Sequence, residues 1–259
     1  VGYPMGIGYI GAFLEKQGHE VTCLDNNQKC LDKDGIWVIQ MAYLEPMINL
    51  NGFDNIVHEH VEYYSLFSLK NLLSRHSLEV FDVELNEIYG GSFRVFIKHK
   101  ENEKLELKQS VRELEMKEEE YGFTNVKTYI DFANRCHSIK ERLLSFLKEE
   151  ISNGKKIYAY GASTKGNTTL QFFDIDSTLI PKVADRDENK FGKKTVGTNI
   201  EIISEAQARE EHPDYFLVLP WHLIEPFSER EAEYLQKGGQ FIVPMPELAL
   251  VSKEGIKDI

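Results

Sequence analysis

Hydrophobic residues along the first hundred positions alternate between strand-like and helix-like spacing. An apolar run at 36–42 is typical of a buried strand, and residues 66–76 place their leucines on one face of a helix. Strands are predicted at 78–84 and 92–98. Because only the short connection through Tyr89-Gly90-Gly91 separates these two strands, we expect them to pair antiparallel.

The rest of the chain has a different pattern. Residues 99–120 are highly charged, which predicts a solvated helix or a linker, and residues 126–151 predict an amphipathic helix that ends at Asn153-Gly154. Strands and helices then alternate, which predicts a parallel sheet with crossover helices. The predicted strands are 156–160, 179–185, 215–219 and 240–243, and the predicted helices are 168–173, 204–211 and 228–237.

Composition narrows the class of protein. The chain of 259 residues is 42% hydrophobic and 28% charged, as expected for a soluble globular protein. Its net charge of −12 argues against nucleic-acid binding. The sequence shows no membrane span and no signal-peptide pattern, and its three scattered cysteines predict neither a disulfide framework nor a zinc site. We therefore expect a cytoplasmic protein.

The segment His-Glu-His-Val-Glu-Tyr-Tyr-Ser at 58–65 concentrates titratable groups after a turn at 51–55. Histidine beside a carboxylate suits proton abstraction near neutral pH, so His60, Glu59 and Tyr63 are candidate catalytic residues. Two other interpretations remain open. His58 and His60 could share one strand face and bind a metal, although no third ligand is evident, or the cluster could be purely structural.

A second candidate site is the loop Gly-Ala-Ser-Thr-Lys-Gly-Asn-Thr at 161–168, between a predicted strand and a predicted helix. Free backbone N–H groups at a helix start, together with Lys165, suit a phosphate group. The order Lys-Gly excludes a nucleotide-triphosphatase loop, which requires Gly-Lys-Ser/Thr. An ordinary strand-to-helix turn is the alternative. Ligand binding at the carboxyl ends of parallel strands favours the functional interpretation.

A third candidate lies at the start of the chain. Gly6, Gly8 and Gly11 fit the spacing GxGxxG, and Asp25 ends the next predicted strand, where a cofactor ribose would bind. No strand precedes these glycines, which favours a structural turn over a cofactor site. A nicotinamide-dependent enzyme that uses this loop is the weakest of the functional hypotheses.

Several motifs in order resemble one family, the S-adenosylmethionine-dependent C-methyltransferases that act on nucleotide-linked keto-sugars. The resemblance covers roughly 31–250. In the first half it includes the stretches at 31–38, 53–65 and 90–95, and in the second half those at 160–168, 185–186, 197–200, 213–215, 220–222 and 239–244. It implies an α/β fold, in which a truncated Rossmann-like methyltransferase domain that ends in an antiparallel hairpin precedes a second Rossmann-like domain with a parallel sheet. The change to charged residues after 99 and the helix end at Asn153-Gly154 set the predicted boundaries: the first domain at 1–99, a helical linker at 100–151 and the second domain at 152–259.

The resemblance also implies a mechanism. Such enzymes remove a proton beside a sugar ketone, and the resulting enolate attacks the methyl group of S-adenosylmethionine. His60 corresponds to the general base, with Glu59 beside it, and Tyr63 would stabilise the enolate or orient the sugar. Gly6, Gly8 and Asp25 would hold the cofactor. The implied sugar-nucleotide contacts are His58, Tyr160, Gly161, Lys165, Gly166, Asn167, Thr168, Asp185, Arg186 and Trp221.

The sequence departs from the family in three places. Val57 replaces a usual tyrosine, the four-cysteine zinc module is absent, and the strands expected between Asn27 and Leu31 are missing. Residues 1–27 instead resemble the start of a cobalamin-binding domain, or an eroded methyltransferase glycine loop. A sugar-nucleotide-binding remnant without activity, or a subunit completed by a partner or by oligomerisation, is therefore the rival hypothesis.

Overall fold

The computed structural model describes residues 31–259, which form two compact units. Within the described range, the N-terminal unit comprises residues 31–46 and 58–128, and the C-terminal unit comprises residues 47–57 and 129–259. The short segment 47–57 thus belongs to the C-terminal unit although both of its neighbours along the chain belong to the other. Gly6, Gly8 and Asp25, predicted to bind the cofactor, lie outside the described residues.

The N-terminal unit is built on a three-stranded antiparallel sheet. The first elements in chain order are β1 (Ile36–Ala42), α1 (Leu44–Asn49), α2 (Leu66–Ser74), β2 (Leu78–Asn86), β3 (Ser92–His99) and α3 (Gln109–Tyr121). The strand order is β1-β3-β2, and the pairing of β2 with β3 confirms the hairpin predicted through Tyr89-Gly90-Gly91. Helices α2 and α3 both contact β2, and they contact each other.

One expectation for this unit was wrong, and a second was incomplete. Strand β1 is not buried, because only one face of the sheet is covered. Ile36 is 46% exposed and Val38 is 48% exposed, whereas the alternate residues Trp37, Ile39 and Met41 are partly buried. The charged segment at 99–120 is not only a solvated linker. Its helix α3 buries Val111, Leu114 and Glu118, whose spacing of three and four residues puts them on one helix face.

The C-terminal unit contains a mostly parallel sheet of seven strands. Its elements are α4 (Val126–Ser152), β4 (Ile157–Tyr160), α5 (Thr164–Phe172), β5 (Lys182–Asp185), β6 (Glu201–Ser204), α6 (Glu205–Glu210), β7 (Tyr215–Val218), α7 (Ile224–Arg230), α8 (Ala232–Gln236), β8 (Gln240–Val243), β9 (Ala249–Ser252) and β10 (Gly255–Asp258). The strand order is β10-β9-β8-β7-β4-β5-β6. Strands β4 to β8 are parallel, as predicted, and β9 and β10 add an antiparallel edge.

Four details of this unit differ from the expectations. Helix α5 begins at Thr164 rather than at 168, because the Ser163 side chain accepts a hydrogen bond from the Gly166 N–H at 3.0 Å and caps it. Strand β5 starts three residues later than predicted, at Lys182. The short strand β6 and the hairpin of β9 and β10 were not predicted. No helix within residues 31–259 has the length and apolar composition that a membrane crossing requires.

Candidate functional site

The order of the strands indicates where the C-terminal unit can bind a ligand. From β4 the chain adds β5 and β6 on one side, and then adds β7 and β8 on the other side. Connections from two neighbouring strands therefore diverge at the carboxyl ends of β4 and β7. In open α/β sheets, such a topological switch point is where ligands bind.

Glycines let the two loops at this switch point approach each other closely. Gly161 follows β4 with a φ of +89°, and a Cβ atom there would lie 2.6 Å from the Pro220 ring of the loop after β7. Gly166, in the first turn of α5, faces Leu219, and its missing Cβ would lie 3.0 Å from that side chain. The amino end of α5 is thereby held against the carboxyl end of β7.

Lys165 occupies the first turn of α5 and is the cation of this site. Within the described part of the chain, its ammonium group forms no hydrogen bond and no ion pair. Burial raises the pKa of Asp54, and the Lys165 charge partly opposes that rise. Burial lowers the pKa of His222, and the Lys165 charge lowers it further. A lysine at a helix amino end whose ammonium has no protein partner is suited to bind an anion.

Asp54 and Trp221 belong to the same site as Lys165. The Asp54 carboxyl group is fully buried, and its Oδ2 accepts a hydrogen bond from the Trp221 Nε1–H at 3.0 Å. Its other oxygen, Oδ1, forms no hydrogen bond of normal geometry with the described residues. Burial raises the pKa of Asp54, and the Lys165 charge, the Trp221 bond and the amides of Asp54 and Asn55 oppose that rise.

His222 follows Trp221 and is partly buried. Burial, and then the positive charge of Lys165, lowers the pKa of His222, so its imidazole is neutral at neutral pH. We call Asp54, Lys165, Trp221 and His222 the switch-point site. Sequence reasoning named only Lys165 and Trp221 as site residues. Asp54 stood in the predicted turn at 51–55 and His222 in the motif at 220–222, so the available signal was their place in those motifs.

Other predicted contacts are engaged by the protein itself. The Tyr160 side chain is buried, and its hydroxyl lies 2.7 Å from Glu231 Oε1 and 2.9 Å from Glu205 Oε1. Asp185 accepts the Ala162 N–H at 2.7 Å and contacts the Lys190 ammonium at 3.2 Å. Asn167 Oδ1 accepts the Val196 N–H at 3.2 Å. These side chains therefore stabilise the protein around the loop at 161–168 through contacts with other protein groups.

Arg186 and Thr168 were also predicted to contact the sugar nucleotide. Arg186 is exposed, and Thr168 is partly buried in α5. No group of three or more His, Cys, Asp or Glu side chains within residues 31–259 is arranged to hold a metal ion.

The histidine segment, defined as residues 58–63, lies on the surface of the N-terminal unit. His58 Nε2 is 3.7 Å from Glu59 Oε1, and the two side chains are 82% and 63% exposed. His60 is exposed as well, and Tyr63 is partly buried. The side chains of His58, Glu59 and His60 are therefore exposed to solvent.

Comparison with known proteins agrees with the motifs. A family model described as the C-methyltransferase C-terminal domain matches residues 87–246. C-methyltransferase NovU from Streptomyces niveus is 34% identical over 236 residues, which cover 91% of this chain and 56% of that protein. The chain therefore belongs to the C-methyltransferase family, which confirms the resemblance found in its motifs. It spans about half the length of this curated relative.

Proposed function

We propose that this chain acts in the transfer of a methyl group from S-adenosylmethionine to a carbon atom of a nucleotide-linked keto-sugar. The observation that carries the proposal is the Lys165 ammonium, which has no partner among the described residues and stands at the switch point of a sheet that belongs to this family. A diphosphate is the substrate group that this cation and the N–H groups of the first turn of α5 fit best.

The proposed chemistry on the protein side is a proton transfer. His60 takes a proton from the carbon beside the sugar ketone, because histidine accepts a proton near neutral pH and this side chain is exposed. Glu59 favours the protonated imidazolium that results. The Tyr63 hydroxyl donates a hydrogen bond to the enolate oxygen, where negative charge develops. S-adenosylmethionine, when bound, supplies an electrophilic methyl group, and the residues predicted to hold it lie outside the described range.

Calorimetric titration with a thymidine-diphosphate sugar tests the substrate half of the proposal. Lys165→Ala removes the unpaired cation, so we expect its affinity to fall at least about tenfold, which corresponds to the loss of one charge-assisted phosphate contact. Lys148→Ala is the matched control, since Lys148 is an exposed lysine of the same unit on α4. Equal affinities of wild type and Lys165→Ala would contradict the placement of the diphosphate.

The catalytic half needs a separate measurement. Titration with S-adenosylhomocysteine and a methyl-transfer assay distinguish an enzyme from a binding remnant: binding of the sugar nucleotide alone supports the remnant. The His60→Ala variant should bind the sugar nucleotide as wild type does and lose methyl transfer. Full methyl transfer by that variant would exclude His60 as the base.

A further inference from the structure

The loop after β7 brings a second basic side chain to the switch-point site. His222 lies in a short helical turn directly after Trp221, and the centroids of these two rings are 5.7 Å apart. The same loop packs against the loop that enters α5 through Leu219 and Pro220. His222 is therefore close enough to Lys165 for the lysine charge to act on its imidazole.

The His222 imidazole has no protein partner of its own. Within the described part of the chain, neither ring nitrogen forms a hydrogen bond, although the side chain is partly buried. Without a ligand the imidazole is neutral at neutral pH and offers one N–H donor and one lone pair, whereas an imidazolium offers two donors. An unpaired imidazole beside an unpaired lysine is suited to a ligand with several acceptor oxygens.

The charge balance of the site favours protonation of this imidazole when a diphosphate binds. With Asp54 ionised and His222 neutral, Asp54 and Lys165 compensate each other. A diphosphate ester adds two negative charges beside an Asp54 oxygen that already lacks a hydrogen bond of normal geometry. The amino end of α5 contributes only about half a positive charge. An imidazolium at His222 supplies a further positive charge.

Other charged groups near the loop at 161–168 are balanced or screened. The Lys190 ammonium lies 3.2 Å from the Asp185 carboxylate, so these two groups compensate each other. Arg186 after β5 and Glu225 of α7 are exposed, and water screens their charges. Asp54 and His222 remain as the groups whose protonation can respond to a bound anion.

We propose that His222 is a second phosphate-binding residue of the switch-point site and that it takes up a proton when a diphosphate binds. The proposal rests on the proposed function, in which Lys165 binds the diphosphate of a sugar nucleotide. The phosphate charge opposes that of Lys165 and favours the imidazolium, which donates a charge-assisted hydrogen bond to a phosphate oxygen. The proton comes from the solvent and its buffer.

Proton uptake makes the affinity for the sugar nucleotide depend on pH. Because the complex binds the His222 proton more tightly than the free protein does, binding is tightest at low pH. The affinity decreases as the pH rises above the pKa of His222 in the free protein, which burial and Lys165 hold below its ordinary value. It becomes constant again once His222 is neutral in the complex as well. The diphosphate is esterified at both ends and keeps its charge over this range, so the pH dependence comes from the protein.

An alternative is that Asp54 takes up the proton, since a nearby anion also favours the protonated form of a carboxyl group. Two variants distinguish the groups. His222→Gln keeps a side-chain donor but has no titratable proton near neutral pH. Asp54→Asn removes the carboxyl group and leaves His222 in place.

Isothermal titration calorimetry of the whole chain with a thymidine-diphosphate sugar measures both quantities. The slope of the observed enthalpy against the ionisation enthalpy of the buffer gives the number of protons taken up at pH 7. For wild type and Asp54→Asn, we expect uptake of about half a proton or more, and a dissociation constant that rises at least about fivefold from pH 6 to pH 8. In His222→Gln, the uptake should disappear, and the dissociation constant should change less than about twofold over this range.

His212→Asn is the matched control, because His212 is an exposed histidine of the same unit that precedes β7, at the opposite end of that strand. Asparagine tolerates its positive φ of 48°. This variant should show the wild-type uptake and pH dependence.

Absence of proton uptake in wild type, its persistence in His222→Gln or its loss in Asp54→Asn overturns the role of His222. Each of these results leaves the diphosphate on Lys165 if Lys165→Ala still weakens binding. A wild-type chain that binds no sugar nucleotide overturns this role together with the substrate half of the proposed function.

Discussion

The Asp54 carboxyl group is buried beside a lysine with which, in the described part of the chain, it forms no ion pair. Taking a carboxylate out of water is costly unless hydrogen bonds or an opposite charge compensate fully, and one Asp54 oxygen has no hydrogen bond of normal geometry. Such a group lowers stability and is retained where it has another use, which agrees with its place in the switch-point site. Its burial depends on Trp221, 167 positions away, so the sequence alone predicted only a turn.

Asp54→Asn should stabilise the protein at pH 7. The pKa of Asp54 is raised in the folded state, so the folded protein binds this proton more tightly than the unfolded chain does. The protonated carboxyl group therefore contributes to stability at low pH, and this contribution is lost as the pH rises through the folded-state pKa. The uncharged amide avoids that loss and still offers an oxygen to the Trp221 N–H. The urea concentration at the midpoint of unfolding should therefore be clearly higher for the variant than for wild type at pH 7, and the two midpoints should converge at pH 4.

Asp176→Asn is the control, and we expect it to change the stability at pH 7 in the opposite direction. Asp176 is exposed, and hydrogen bonds from the Thr178 hydroxyl and the Thr178 N–H lower its pKa. Asp176→Asn should therefore lower the urea midpoint at pH 7. A lower midpoint for Asp54→Asn at the same pH would show that the buried charge is fully compensated.

At the scale of secondary-structure elements, the Glu211 carboxylate connects α6, β4 and β5. Glu211 follows α6, accepts a hydrogen bond from Tyr158 of β4, and binds the Lys182 ammonium of β5 at 2.6 Å and 2.7 Å. Hydrogen bonds from Lys182 and then Tyr158 lower the pKa of Glu211 to about 2. The carboxylate thus ties two parallel strands to the helix that crosses over them.

Glu211→Gln should lower the free energy of unfolding by about 1–2 kcal/mol at pH 7, a value reduced for the solvent that reaches the pair. The depressed pKa means that the contribution is complete above pH 4.5 and is lost as the pH falls towards 2. Urea unfolding between pH 7 and pH 3 should show the difference between variant and wild type narrowing. A constant difference would assign the effect to packing rather than to charge.

The elements themselves were predictable where local spacing determines them. Helices α2 and α4 and strands β3, β7 and β8 follow from apolar periodicity. The exposure of β1 was not predictable, because whether a face of a sheet is covered depends on distant parts of the chain. Strand β6 was missed because four residues directly before a helix carry little periodic signal. The start of α5 could have been found from Ser163, a common capping residue.

At the scale of the whole molecule, the two units interleave along the chain. The predicted boundaries at 99 and 152 followed changes in composition, which do not reveal that segment 47–57 is part of the C-terminal unit. That association depends on contacts such as Asn51 with Pro246, 195 positions apart. The histidine motif and the loop at 161–168 could be named from the sequence because each is local, whereas the contact of Asp54 with Trp221 is long-range and could not.

Because segment 47–57 belongs to the C-terminal unit, a substitution in it should lower the stability of that unit. The N-terminal unit, which flanks the segment in sequence, should keep its stability. Phe53 is 4% exposed, and its ring centroid lies 4.5 Å from that of Phe172 and 5.1 Å from that of Phe173, at the end of α5. Phe53→Ala should cost about 3–5 kcal/mol of local stability. In hydrogen–deuterium exchange, the amides of α5, β4 and β7 should exchange faster, while those of β3 and α2 keep their wild-type rates. Leu69→Ala, in the core of the N-terminal unit, should give the reverse pattern, and equal acceleration of both units in either variant would mean that they unfold as one.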